Sequence, residues 1–171
     1  MTASNVILIL ATTCAALMAG LFYSYSCSVV PGLASLADAE YIRAMQSINK
    51  AIQNPLFFCC FFGILVLLPA STYLSHTQPI TVRFYLLLAA TILYFTGVFG
   101  VTALGNIPLN NTLEKFNLVN ETIERIHLQR IAFEISWNRL NTIRTISSVI
   151  SLLLVIIACI YPGRSSLAPS K

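Results

Sequence analysis

The sequence predicts an all-α fold: a four-helix transmembrane bundle with amphipathic helical segments covering one side. Two observations carry most of this. The chain is 57% hydrophobic and only 9% charged, a composition that belongs to integral membrane proteins. Its charges are nearly absent from four segments, roughly 5–30, 55–75, 82–104 and 145–161, which meet or approach the ~20 apolar residues a helix needs to cross the hydrocarbon core. These segments are apolar throughout rather than alternating, so they read as helices and not as barrel strands. The spans make one domain over 1–163, and the tail at 164–171, "RSSLAPSK", is expected to be disordered.

The first segment has no Lys or Arg near its start, is longer than the apolar stretch of a secretory signal, and is followed by no clean A-x-A-like site. It is read as a retained span. After it, "LADAEYIRAMQSINKAI" at 36–52 places Ile42, Met45, Ile48 and Ile52 three or four residues apart, with Arg43, Gln46 and Lys50 elsewhere on the wheel. That spacing predicts an amphipathic helix lying on the membrane or capping the bundle. Pro55 opens the second span, where a missing N–H costs nothing, and Asn54 before it is a good helix cap.

Gly97, Gly100 and Gly105 lie along the third span with spacing close to that of tightly packed helices. Pro108 restricts the residue before it, so this span is expected to break near Asn106 and Ile107. In "NETIERIHLQRIAFEIS" at 120–136, Glu121 and Arg125 form an i,i+4 pair, and the segment is expected to run unbroken into the fourth span.

Four spans put both termini and the 76–81 connection on one side, with 31–54 and 105–141 on the other. All six acids fall on that second side. The balance of Lys and Arg does not settle orientation. The expected location is the cell (inner) membrane, multi-pass, with both termini cytoplasmic. The five cysteines all lie in or at the ends of apolar segments, which argues against a disulfide framework, and the adjacent Cys59 and Cys60 lack the C-x-x-C spacing of a redox centre.

Polar groups at membrane depth cost free energy unless satisfied, so their positions are informative. Three groups share the second side. Asn49, Gln53 and Asn54 lead into the second span. Asn106, Asn110 and Asn111 sit in "GNIPLNN" at the end of the third. Trp137, Asn141 and Arg144 lie at i, i+4 and i+7 on one helical face, which extends back to Arg130 and Glu134 and forward to Ser148 and Ser151. Each group alone has an ordinary reading as a helix end, an aromatic belt or a snorkelling cation. Together they place amide and guanidinium donors around one mostly apolar pocket.

In order along the chain, "GLFYSYSCSVVPGL", "AMQSIN", "NP", "GNIPLNN" and "W-N-x-x-N-x-x-R" resemble the anthrone-oxygenase-like membrane proteins. The resemblance implies a four-span membrane protein, carries Asn106, Pro108, Asn110, Trp137, Asn141 and Arg144 onto the characteristic positions, and implies for part of the family oxygenation of anthrone-like aromatics without a cofactor. The chain has Asn111 where many members have Asp, and one Trp where two are common. The catalytic candidates are Arg144, Asn110 and Asn141, as oxyanion donors, and His127, with Glu134, as a base. The substrate-binding candidates are Asn106, Trp137, Asn49 and Asn54.

No metal site is expected, because the two histidines, His76 and His127, lie on opposite sides of the membrane. No cofactor and no nucleic-acid partner are expected either, since nucleotide loops and a nucleic-acid-binding basic patch are absent. The expected partners are membrane lipid and an apolar aromatic small molecule or quinone, with a homo-oligomer left open. A non-enzymatic lipid- or quinone-binding or assembly protein is the alternative that the same residues allow.

Overall fold

The computed structural model describes residues 2–161 as five helices. The tail expected to be disordered, 164–171, lies outside the described residues. Helix α1 is Ala3–Ala34, α3 is Pro55–Leu74, α4 is Val82–Glu114 and α5 is Ile123–Ile160, and all four are long and apolar enough to span a membrane. The shorter α2, Asp38–Ala51, is amphipathic. The protein is an all-α four-helix transmembrane bundle.

Each spanning helix starts where the chemistry favours it. The Thr2 side chain accepts from the Asn5 N–H, Asn54 from the Phe57 N–H and Thr122 from the Arg125 N–H, each closing a donor that a helix N-terminus leaves open. Helix α1 packs on α3 and α5, and α4 on the same two, so the ring runs α1, α3, α4, α5. Two cores result. One fills the bundle around Met18, Phe61, Ile64, Leu68, Tyr94 and Val98. The other forms where α2 meets α4 and α5, around Tyr41, Ile42, Met45, Leu113, Phe133 and Trp137.

Helix α4 does not break at Pro108 as the sequence predicts. It continues to Glu114 through two segments of wide π turns, Tyr94–Gly100 and Thr102–Asn106. Helix α1 has the same device in Tyr25–Val29, before Pro31. In both places the residue preceding the proline reaches back five positions, Ile107 N–H to the Thr102 carbonyl and Val30 N–H to the Tyr25 carbonyl. A proline ring clashes with the carbonyl four residues earlier in a regular helix. The wider turn moves that carbonyl aside and keeps the helix continuous.

Glycine brings α4 close to α5. A Cβ on Gly97 would fall on the Ser147 side chain, and one on Gly105 would lie 2.7 Å from Leu140 Cδ1.

Candidate functional site

A cavity of about 490 Å³ lies between the two cores, where the second-side ends of the spans converge. Its floor and walls are aromatic, with Phe22 from α1, Phe57, Phe58, Phe61 and Phe62 from α3 and Phe99 from α4. Its polar groups are Asn49, Gln53, Asn54, Thr102, Asn106, Asn110, Asn111, Asn141 and Arg144. Tyr25 and Arg144 are the only titratable side chains in the lining.

Arg144 is held from several sides without a carboxylate. Its Nη2 donates to Asn141 Oδ1 at 2.9 Å and its Nη1 approaches Thr102 Oγ1 at 3.5 Å. The guanidinium carbon sits 4.7 Å from the Phe22 ring centroid and 5.3 Å from that of Trp137, so ring faces supply part of the attraction that an anion would otherwise provide. No described salt bridge includes Arg144, and its Nε has no partner. The side chain is only 7% exposed.

Asn141 supports Arg144 and is itself held. It accepts from Arg144 and donates through Nδ2 to Ser26 Oγ at 2.9 Å, and Ser26 Oγ lies 2.8 Å from Thr145 Oγ1. The chain Arg144, Asn141, Ser26, Thr145 ties α5 to the wide turn of α1. Each polar atom of the Asn141 amide makes one bond here, which leaves one N–H and one oxygen lone pair over.

Asn106 is the opposite case. It is 1% exposed and neither its Oδ1 nor its Nδ2 has a partner. Asn49 Nδ2 is likewise buried and unpaired. Buried polar groups are almost always satisfied. These amide atoms and Arg144 Nε have no partner among the described residues.

The remaining sequence-derived candidates divide. Asn110 and Trp137 both line the cavity and bond to each other, Trp137 Nε1 to Asn110 Oδ1 at 2.9 Å. Asn54 lies at the rim, but its amide serves the chain: it accepts from Phe57 N–H and donates to the Ala51 carbonyl. His127 is not in the lining. Its Nδ1 lies 2.8 Å from Asp38 Oδ2, on a half-exposed flank that also holds Arg130 and Glu134. Seventeen residues of α5 separate it from Arg144, about 25 Å at 1.5 Å per residue. Glu134 is bound by Arg130 and is not in the lining either.

Tyr25 and Thr102 were not among the sequence candidates. The Tyr25 ring lies 5.0 Å from that of Trp137 between centroids, tilted by 46°, and its hydroxyl donates to Met45 Sδ at 3.2 Å, a weak acceptor. The motif "GLFYSYSCSVVPGL" contains it, but nothing in that stretch marks Tyr25 above its neighbours. Among the described residues no three His, Cys, Asp or Glu side chains group as a metal site.

The family model described as Anthrone oxygenase matches residues 43–154, about two thirds of the chain. The chain belongs to the anthrone oxygenase family. No curated protein and no solved structure matches it. The matched region of this anthrone oxygenase family member includes α2 from Arg43 onward, α3, α4 and the pocket-lining part of α5, and it leaves out all of α1 with Phe22, Tyr25 and Ser26. The polar set of the family member's pocket, Asn49, Asn106, Asn110, Trp137, Asn141 and Arg144, lies wholly within it.

Proposed function

We propose that the pocket binds a flat aromatic molecule through an oxygen that carries or develops negative charge, and that the protein is a cofactor-independent oxygenase of anthrone-like substrates. The observation that supports this most is Arg144, a cation buried among aromatic rings with a free N–H and no carboxylate, in a cavity also lined by Asn106, whose amide is unpaired. A buried charge without a counter-ion is costly. An enolate or phenolate would supply the missing partner.

The chemistry suits such a site. Anthrone carries a CH₂ between two rings and opposite a ketone, and loss of one proton gives a delocalised enolate. Donors fixed in a dry site stabilise that oxyanion. The enolate passes one electron to O₂, the carbon radical and superoxide combine, and the peroxide oxygen takes back a proton. The resulting hydroperoxide loses water, so anthrone and O₂ become anthraquinone and H₂O. Here Arg144 faces the oxyanion, Asn106 and Asn49 bind the remaining oxygens, and Phe22, Phe61 and Trp137 hold the rings. Asn110 orients Trp137, and Asn141 orients Arg144.

With no imidazole or carboxylate in the lining, the proton passes to water and returns from it to the peroxide, and stabilisation of the enolate supplies the acidity in place of a strong base. That same lack favours a second reading, in which the pocket holds a quinone or lipid without turnover. Purified protein given anthrone in detergent should consume O₂ above the spontaneous rate and yield anthraquinone. Equality with the spontaneous rate would remove the oxygenase reading, and a quinone or lipid found by native mass spectrometry would then support the second.

A further inference from the structure

We propose that the pocket opens sideways into the hydrocarbon of the bilayer, between α3 and α4, and that its ligand enters from the lipid phase through a portal formed by Phe58, Phe62, Phe99, Ala103 and Ile107. This rests on the reading of the cavity as a ligand site, and it adds where that ligand comes from.

The aqueous end is closed by α2. Tyr41, Ile42 and Met45 are buried against Leu113, Phe133 and Trp137. At the far end of α2, Gln46 Nε2 donates to the carbonyls of Leu113 and Phe116 at 2.8 and 3.0 Å, and Lys50 pairs with Glu114. At its near end, Arg130 donates to the carbonyls of Ala34 and Leu36 and to Asp38. The helix is fastened at both ends, and its inner residues Ile48, Asn49 and Ile52 form one wall of the cavity.

The lateral side is built differently. Helix α3 packs along Val82–Leu93, while the wide-turn segments of α4 pack on α5. Next to the pocket the space between α3 and α4 is bridged by rings, Phe61 to Phe99 at 5.9 Å and Phe62 to Phe99 at 6.4 Å. Phe58, Phe62 and Ile107 line the cavity and are nevertheless 39%, 48% and 46% exposed. Side chains that do both sit at a mouth.

The α3 and α4 side chains that form the lateral part of that mouth, Phe58, Phe62, Phe99, Ala103 and Ile107, are apolar, and the exposed Gln53 and Asn111, which also line the cavity, stand toward its aqueous edge. The unpaired polar atoms of Asn49, Asn106 and Arg144 are buried behind it. A polarity gradient of this kind admits a molecule that is dissolved in hydrocarbon and carries its oxygen inward, and the exposed rings offer faces against which a flat molecule slides.

Trp137 is the only tryptophan of the chain and lines the pocket, so its fluorescence reports the pocket directly. The full chain is reconstituted in phosphatidylcholine vesicles containing phosphatidylcholine labelled with a nitroxide high on the acyl chain. The labelled lipid should quench Trp137 and aqueous iodide should not. Ala103→Phe, which narrows the mouth, should abolish most of the lipid quenching and slow the fluorescence change caused by vesicle-dissolved anthrone, whereas Phe62→Ala should strengthen the quenching.

Iodide quenching as strong as that of the lipid would overturn the portal, and so would lipid quenching untouched by either variant. If Ala103→Phe does not fold, Phe62→Ala, which removes an exposed ring, decides alone. Lipid quenching that responds to both variants, combined with no response to anthrone, keeps the lateral opening and removes the anthrone reading.

Discussion

The indole N–H of Trp137 donates to Asn110 Oδ1 at 2.9 Å, joining α5 to the part of α4 that lies beyond its wide turns. This bond sets the plane of the ring beside Arg144. Trp137→Phe keeps an apolar ring but leaves Asn110 unpaired, and Asn110→Leu leaves the indole N–H unpaired. Each single variant should lose about 1–3 kcal/mol, and the pair together less than the sum. Thermal unfolding of the four proteins in detergent measures the coupling, and strict additivity would mean that the bond contributes nothing.

Arg144 sets the second expectation. Arg144→Leu removes the donor proposed to face the oxyanion, and loss of one such donor typically lowers turnover by about 10²–10³. Arg144→Lys keeps the charge but not the planar fork, and should recover only part of the activity. O₂ consumption with anthrone gives both rates, and a lysine variant as active as the parent would show that charge alone suffices.

Asn106 should separate stability from function. With both amide atoms buried and unpaired, it burdens the ligand-free protein by about 1–3 kcal/mol. Asn106→Leu should raise the melting temperature while weakening the response of Trp137 fluorescence to anthrone. A variant that melts lower than the parent would show that the amide is satisfied in the membrane.

Packing at Gly97 is the fourth. Alanine there would drive its Cβ into Ser147, at a cost of about 1–3 kcal/mol as in other overpacked cores. Ser147→Gly in the same chain should restore most of the loss. Melting curves in detergent test this, and a tolerated Gly97→Ala would mean that α4 and α5 can shift apart.

The fifth concerns pH. The hydrogen bond from His127, and then that from Arg130, hold the Asp38 carboxyl below its usual value. A depressed folded-state value means that stability from this group is fully present above the ordinary carboxylate pKa of about 3.9 and is lost as pH falls through the lower folded value. The gap in melting temperature between the parent and Asp38→Asn should therefore be constant near neutrality and close below that pH. A gap that persists unchanged to lower pH would deny the shift.

Periodicity carried much of this. The three-or-four spacing of Ile42, Met45 and Ile48 gave the buried face of α2, and the Trp137, Asn141, Arg144 stripe gave the inner face of α5, because side-chain direction in a helix follows from position alone. Depth was less legible. His127 is on the same helix as Arg144, yet a helix of 38 residues runs well beyond the cavity lining. The helix break expected at Pro108 did not occur, because the proline rule assumes regular turns and α4 widens its turns instead. For Asn141 the sequence suggests a donor, and only the placement of Ser26 on another helix shows that one of its two amide N–H groups is bonded within the protein. Tyr25 depends on the same tertiary approach.

The wide turns before Pro31 and Pro108 carry one more consequence. Each holds one residue more than a regular turn, so a single deletion within Thr102–Asn106 would let the turn close to regular pitch and leave the helix beyond it facing as before. Asn110 would still meet Trp137, but the Pro108 ring would then press on the carbonyl four residues before it. The wide turn is thus a place where α4 can absorb a change of length that an ordinary helix would turn into a rotation of about 100°.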